Sequence, residues 1–135
     1  MSFLGHQRAP FNFEDPNFLD REYDTLQADG QSKTASNVFS LDLDSCAKEF
    51  NIRAYSVHPG SIGGTEPGRK APLELLQKMG FLDADGSMNP EVGAKLKTIP
   101  QGAATIVWCA TSPLLDNTGG VYCEDTDIAS WLKNY

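Results

Sequence analysis

The chain is short of basic charge. Lysine and arginine total 11 against 18 aspartates and glutamates, a formal net charge of −7 with an isoelectric point near 4.6. Nucleic acids and anionic membrane surfaces attract basic proteins, so neither is expected as a partner. No apolar run approaches the ~20 residues that cross a bilayer. The start, Met1-Ser-Phe-Leu-Gly-His6, has neither the basic beginning nor the long apolar core of a secretory signal, so the expected location is cytoplasmic. Cysteine is scarce as well. Cys46, Cys109 and Cys123 are odd in number, widely spaced and form no C-x-x-C pair. With only His6 and His58 to join them, no metal site is expected. Cys46 and Cys109 fall in helical apolar patterns and are expected to be small buried hydrophobes.

What is present fits one globular domain. The 135 residues are 40% hydrophobic and 21% charged, which gives a modest core and no sign of disorder. Residues 1–27 hold Pro10, Phe11, Phe13, Asp15, Pro16 and Phe18 and read as an irregular segment packed by its own rings. Residues 28–60 read as a helix and a strand. From Gln31 to Phe50, Ala35, Phe39, Leu43, Cys46 and Phe50 recur at spacings of three and four, a helical stripe expected to face the core. Asn51 closes it, and Ile52–Val57 is a short strand ending at Pro59-Gly60. Residues 61–97 are punctuated by Gly63, Gly64, Pro67 and Gly68, with a short helix at Leu73–Met79 and a turn at Asp83-Ala-Asp-Gly86. That turn lacks the later carboxylate of a calcium loop. In residues 98–135, Thr98-Ile-Pro-Gln101 has the form of a capping box opening a helix to about Ala110. Gly119-Gly120 then turns into a last short strand. Helix, strand and glycine-bearing loop in this rhythm predict an α/β fold with a parallel sheet.

Two blocks carry the chemistry. In Asp29-Gly30-Gln31-Ser32-Lys33, a carboxylate and an ammonium stand one helical turn apart. The plain reading is an i,i+4 ion pair contributing about 0.2–0.5 kcal/mol. The sharper reading makes Asp29 a general base and Lys33 its electrostatic support, for proton abstraction without hydride transfer. In Val57-His58-Pro59-Gly60, the Pro-Gly step marks a turn after a strand.

In this order, with Gln101-Gly-Ala-Ala-Thr105, Ala110-Thr-Ser-Pro113 and Gly119-Gly-Val-Tyr-Cys-Glu-Asp125, these blocks resemble the C-terminal half of short-chain dehydrogenases/reductases. The similarity is greatest to the branch of retinol dehydrogenases and plant or fungal reductases. The resemblance implies a partial Rossmann-like fold and a nominal NADP- or NAD-linked oxidoreductase of a small or apolar metabolite. It implies that Lys33 is catalytic and also holds the nicotinamide ribose, and that Pro59, Gly60, Ile62 and Thr65 line the cofactor. Thr65 stands one residue later than in the family pattern. The helix 31–50 would pair, either with a second copy or with a full-length relative.

The same comparison marks departures. The family's catalytic tyrosine, four residues before the lysine, is Asp29 here. A phenol, with an unperturbed pKa of about 10, gives up or takes a proton with help from the lysine; an unperturbed aspartate at about 3.9 is ionised at neutral pH and only accepts hydrogen bonds. Phe3 falls at the family's serine position, with Ser2 one residue before it. No G-x-x-x-G-x-G stands in the sequence to cradle a pyrophosphate. These departures imply impaired or absent activity for the chain alone. They leave as alternatives a cofactor-independent isomerase or lyase using Asp29 and Lys33, or a non-catalytic partner.

Overall fold

The computed structural model describes residues 4–63 and 71–129. The chain forms two compact units, one of Met1–Pro59 with Ala104–Tyr135 and one of Gly60–Ala103.

In the first unit a 3₁₀ turn, Leu4–Gln7, precedes the long helix α1, Thr25–Ala47. Helix α1 starts six residues before Gln31, where the apolar stripe begins, because Asp24 caps it: its backbone is extended (φ −117°, ψ 118°), and its side-chain oxygen accepts the Gln27 N–H at 2.8 Å. A 3₁₀ turn, Lys48–Phe50, ends at Asn51, whose left-handed conformation (φ 61°) turns the chain toward the sheet. Strand β1, Tyr55–His58, pairs in parallel with β2, Val121–Glu124, from Tyr55 opposite Val121 to His58 opposite Glu124. β2 then folds back on the two-residue strand β3, Asp127–Ile128, giving the order β1-β2-β3. The hairpin turn holds Asp125 and Thr126, both at positive φ (50° and 57°), as a tight two-residue connection requires. The buried Thr105 hydroxyl accepts the Thr126 N–H at 3.2 Å and pins that turn. The parallel β1–β2 pair joined through helices makes the fold α/β, as the sequence predicts.

The apolar centre of this unit is small. Cys109, Leu115 and Cys123 are buried together, with Tyr55, Val57, Trp108, Val121 and Ile128 packed around them. Cys109 thus meets its expectation and Cys46 does not: Cys46 is exposed.

The same reversal applies to most of the stripe. Phe39 is 66% exposed and Leu43 40% on α1, and Phe50 is 70% exposed in the turn that follows, while Ala35 is half-buried; the buried residues of α1 are Gly30, Gln31 and Asp44. The physical reason is that α1 docks through small and polar groups. Ser40 Oγ reaches the Tyr55 carbonyl at 3.5 Å, and Asp44 accepts from Arg53 and from the Ala54 N–H. The apolar seam is left pointing outward.

In the second unit, residues 61–63 run beside Lys97 through a parallel bridge at Ile62. Helix α2, Leu73–Lys78, lies at the predicted place, and the 83–86 turn closes with the Gly86 N–H on the Asp83 carbonyl at 2.9 Å. The short helix α3, Pro90–Gly93, is capped by the Asn89 side chain. Helix α4, Ile99–Thr111, whose residues from Ala104 on belong to the first unit, opens with the expected capping box: Gln101 Oε1 accepts the Thr98 N–H at 2.8 Å, and Thr98 Oγ1 accepts the Gln101 N–H at 3.4 Å.

Candidate functional site

Asp29 and Lys33 lie one turn apart on α1, with Lys33 Nζ 3.9 Å from Asp29 Oδ1. Their side chains are 41% and 31% exposed, so the contact is a loose surface pair that keeps both groups open to solvent. The 3₁₀ turn at Leu4–Gln7 forms the wall behind them. A Cβ on Gly5 would stand 2.6 Å from Asp29 Oδ2 and 3.4 Å from Lys33 Cγ. A larger residue at that place would push the Asp29 carboxylate aside.

The residues between and beside the pair fasten the N-terminal segment to α1. Gly30 meets Gly5 so closely that an added Cβ would lie 2.8 Å from the Gly5 carbonyl oxygen. Thr34 Oγ1 donates to the carbonyls of Ala9 (2.8 Å) and His6 (3.2 Å). The buried Gln31 donates through Nε2 to the Pro16 carbonyl at 2.6 Å and accepts from Arg21 Nη2 at 2.7 Å. Arg21 in turn stacks over the Phe18 ring at 3.8 Å and pairs with Asp15. Gln31 was not among the residues predicted to matter. Its signal is only its place inside the Asp29–Lys33 block, where the spacing says nothing about which way a polar side chain points.

Tyr23, a phenol just ahead of this helix, precedes the Asp24 cap and packs edge-on to Phe18 at 5.3 Å. It does not occupy the position of Asp29. His58 is 7% exposed and lies among rings, stacked 6.5 Å from Tyr122, which also meets His6 at 5.0 Å.

Beyond Pro59 the chain turns through Gly60, whose φ of 85° selects glycine. Ile62 bridges to Lys97, and the Lys97 side chain lies across the face of Gly60. Thr65, Ser2 and Phe3 lie outside the described residues. Among the described residues no group of three or more His, Cys, Asp or Glu is placed to hold a metal. No helix among them is long and apolar enough to cross a membrane. An open groove of about 730 Å³ in the first unit, lined by Arg53, Tyr55, Val57, Ile106, Cys109 and Leu115, does not include Asp29 or Lys33.

Lys33 fits a ribose diol: its partly exposed ammonium has three protons and, among the described residues, one long contact, to Asp29. Gly60 fits close approach of a flat ring only on the side that Lys97 leaves uncovered.

No family model matches the chain, and no solved structure gives a significant match. A probable oxidoreductase of Streptomyces lividans is 40% identical over 129 residues, 96% of this chain and 42% of its own length. Oxidoreductase calI of Penicillium decumbens is 29% identical across 96% of the chain and 36% of its own length. Retinol dehydrogenase 13 of Mus musculus is 28% identical across 92% of the chain and 35% of its own. The chain therefore spans about two fifths of the length of the curated relatives it matches. Its similarity to these oxidoreductases and retinol dehydrogenases runs along nearly all of its residues, and its parallel α/β fold is that of a partial short-chain dehydrogenase/reductase.

Proposed function

We propose that this chain carries the nicotinamide-riboside end of a dehydrogenase site without the proton relay that completes it. Lys33, Pro59, Gly60, Ile62 and Thr65 are the residues assigned to an NADP or NAD cofactor. When bound, the nicotinamide supplies hydride donation or acceptance; the chain's own part is to hold the ribose through Lys33 and the ring beside Gly60. The observation that carries this reading is the Asp29–Lys33 pair itself, 3.9 Å apart on the open flank of α1. Asp29 stands where a phenol is needed, ends short of a phenol's reach, and as a carboxylate accepts hydrogen bonds and donates none. The substrate class is a small or apolar carbonyl or alcohol, in keeping with the oxidoreductase and retinol dehydrogenase relatives. The expected compartment is the cytoplasm.

The exposed seam of Phe39, Leu43 and Phe50 supports pairing through the 31–50 helix, with a second copy or with a full-length relative. A cofactor-independent isomerase or lyase is the second reading, favoured by the proximity of a solvent-open carboxylate to an ammonium.

Nicotinamide absorbance followed with NADPH or NADH and an apolar aldehyde such as retinaldehyde tests the proposal. The expected result is no turnover by the chain alone, while nicotinamide riboside perturbs the amide signals at Lys33 and Gly60. Steady turnover by the unaltered chain would overturn it. Conversion of a substrate without any nicotinamide, lost in Asp29→Asn, would establish the second reading instead.

A further inference from the structure

We propose that the hollow between the N-terminal segment and α1 binds a small quaternary ammonium ion, a ligand independent of the cofactor reading above. The hollow, about 480 Å³ and open to solvent, lies wholly within the first unit. Its floor is one face of α1, where Ala28, Ser32 and Ala35 recur at spacings of four and three and leave room above the helix. Its walls are the rings of Phe11, Phe18 and Tyr23. Phe18 and Tyr23 stand 5.3 Å apart at 65°, so they form a corner rather than a stack.

The backbone at this corner is strained. Phe18 has a φ of 55°, a left-handed conformation that a bulky side chain rarely adopts. Such a conformation persists only where its surroundings hold it. Here the buried Asp15 carboxylate accepts the N–H groups of Leu19 at 2.7 Å and Asp20 at 3.2 Å, and the Arg21 guanidinium lies 3.8 Å over the Phe18 ring. That contact also shows what the ring attracts, since a cation sits on its electron-rich face. Arg21 pairs with Asp15 at 3.5 Å and is not part of the lining, so its charge is countered and its side chain does not fill the hollow.

Charge gives the sign of the ligand, and hydrogen bonding its kind. From Glu14 to Asp24 the chain has five carboxylates and one arginine. Asp15 and Asp24 are engaged with backbone N–H groups, whereas Glu14, Asp20 and Glu22 are exposed and have no ion pair among the described residues. This negative field around three rings favours an organic cation. The lining offers such a cation few acceptors. Gln31 is committed at both ends, donating to the Pro16 carbonyl and accepting from Arg21, and the Ser32 hydroxyl donates to the Asp29 carbonyl. A primary ammonium would give up more hydrogen bonds to water than it could replace here. A quaternary ammonium has no N–H to satisfy and presents methyl groups to the rings.

Choline and its neutral isostere dimethylbutanol, in which a tert-butyl group replaces the trimethylammonium, serve as the probes. Each is titrated into the intact chain and followed by amide and ring-proton chemical shifts at low and high salt. Choline is expected to bind about fivefold more tightly than the alcohol, a preference that salt weakens. Its methyl protons should show nuclear Overhauser contacts to the rings of Phe11, Phe18 and Tyr23. Tyr23→Leu keeps an apolar wall without a π face and should reduce the preference to about twofold, while Tyr23→Phe retains it. Tyr23 is 65% exposed and precedes the Asp24 cap, so neither change should disturb the circular dichroism of α1. Asp20→Asn with Glu22→Gln should weaken choline about twofold and leave the alcohol unchanged. Equal binding of the two probes to the unaltered chain would reveal a merely apolar hollow and overturn the proposal. No response to choline, or choline bound without contact to the three rings, overturns it as well, and so does a preference that survives Tyr23→Leu undiminished.

Discussion

Asp44 and Arg53 are joined by two parallel hydrogen bonds, Nε to Oδ1 and Nη2 to Oδ2, each 2.9 Å long. A third donor, the Ala54 N–H, reaches Oδ1 at 3.0 Å. Gly119 lies directly beneath, where a Cβ would collide with Asp44 Oδ1 and come within 2.5 Å of the guanidinium. One carboxylate thus fastens the end of α1, the start of β1 and the turn into β2.

The first prediction concerns acid. The Arg53 hydrogen bond holds the Asp44 carboxyl below its usual 3.8, against a smaller opposing effect of burial. Because the folded value is depressed, Asp44 contributes stability that is complete above the unfolded value and is lost as pH falls through the folded one. Thermal unfolding followed from pH 6 downward (a range set by the ordinary carboxylate value) should show this loss below about pH 4. Asp44→Asn should flatten that part of the curve and lower stability at neutral pH by about 2 kcal/mol. An acid limb of equal steepness in the variant would show that other carboxylates are responsible.

A second prediction follows from the contact of Gly30 with Gly5. An alanine at 30 places its methyl 2.8 Å from a carbonyl oxygen and 3.2 Å from Ala9, in backbone that cannot swing aside as a side chain would. Urea unfolding of Gly30→Ala should show a loss of about 1–3 kcal/mol, although alanine is the better helix former. A gain in stability would mean that the N-terminal segment does not sit on α1 as described.

The three thiols should separate by reactivity. Burial pushes Cys123 up to about 12 and raises Cys109, so neither supplies much thiolate near neutral pH. Cys46 is exposed on the outward seam. Brief iodoacetamide treatment of the folded chain, read by mass spectrometry, should label Cys46 alone, and all three thiols only after denaturation. Rapid native labelling of Cys109 would place it in open solvent rather than in the apolar cluster.

Local chemistry in the sequence located most elements. The capping box at Thr98, the turn at Asp83–Gly86 and the glycines before β2 each encode their geometry within four residues, and each stands where it was predicted. The i,i+4 frame of Asp29 and Lys33 was legible for the same reason. Periodicity found α1 but misplaced its inside. A stripe at spacings of three and four shows that one face is apolar and does not say what covers it. Here the covering contacts are polar, through Gln31, Ser40 and Asp44, and their partners lie 9 to 15 residues away in sequence. The bond from Gln31 to Pro16 and the placement of Lys97 on Gly60 are likewise long-range, so no local pattern announces them.

That reversed face leads to the last prediction. Phe39 at 66% exposure, Leu43 at 40% and Phe50 at 70%, with Cys46 exposed between them, form one outward seam along α1 and the turn that follows it. Contiguous apolar surface of this kind marks an interaction face, because single scattered hydrophobes do not align at helical spacing. If a second copy covers it, sedimentation should show association that strengthens with protein concentration and survives high salt, since the seam carries no charge of its own. Phe39→Glu with Leu43→Glu places two like charges in that contact and should yield a monomer with unchanged circular dichroism. Both side chains point away from the buried cluster of Cys109, Leu115 and Cys123, so the fold itself loses little. A chain that sediments as a monomer at every concentration would exclude a second copy. Mixing it with a full-length relative would then ask whether the seam is kept for that partner, and the same two substitutions should abolish the mixed species.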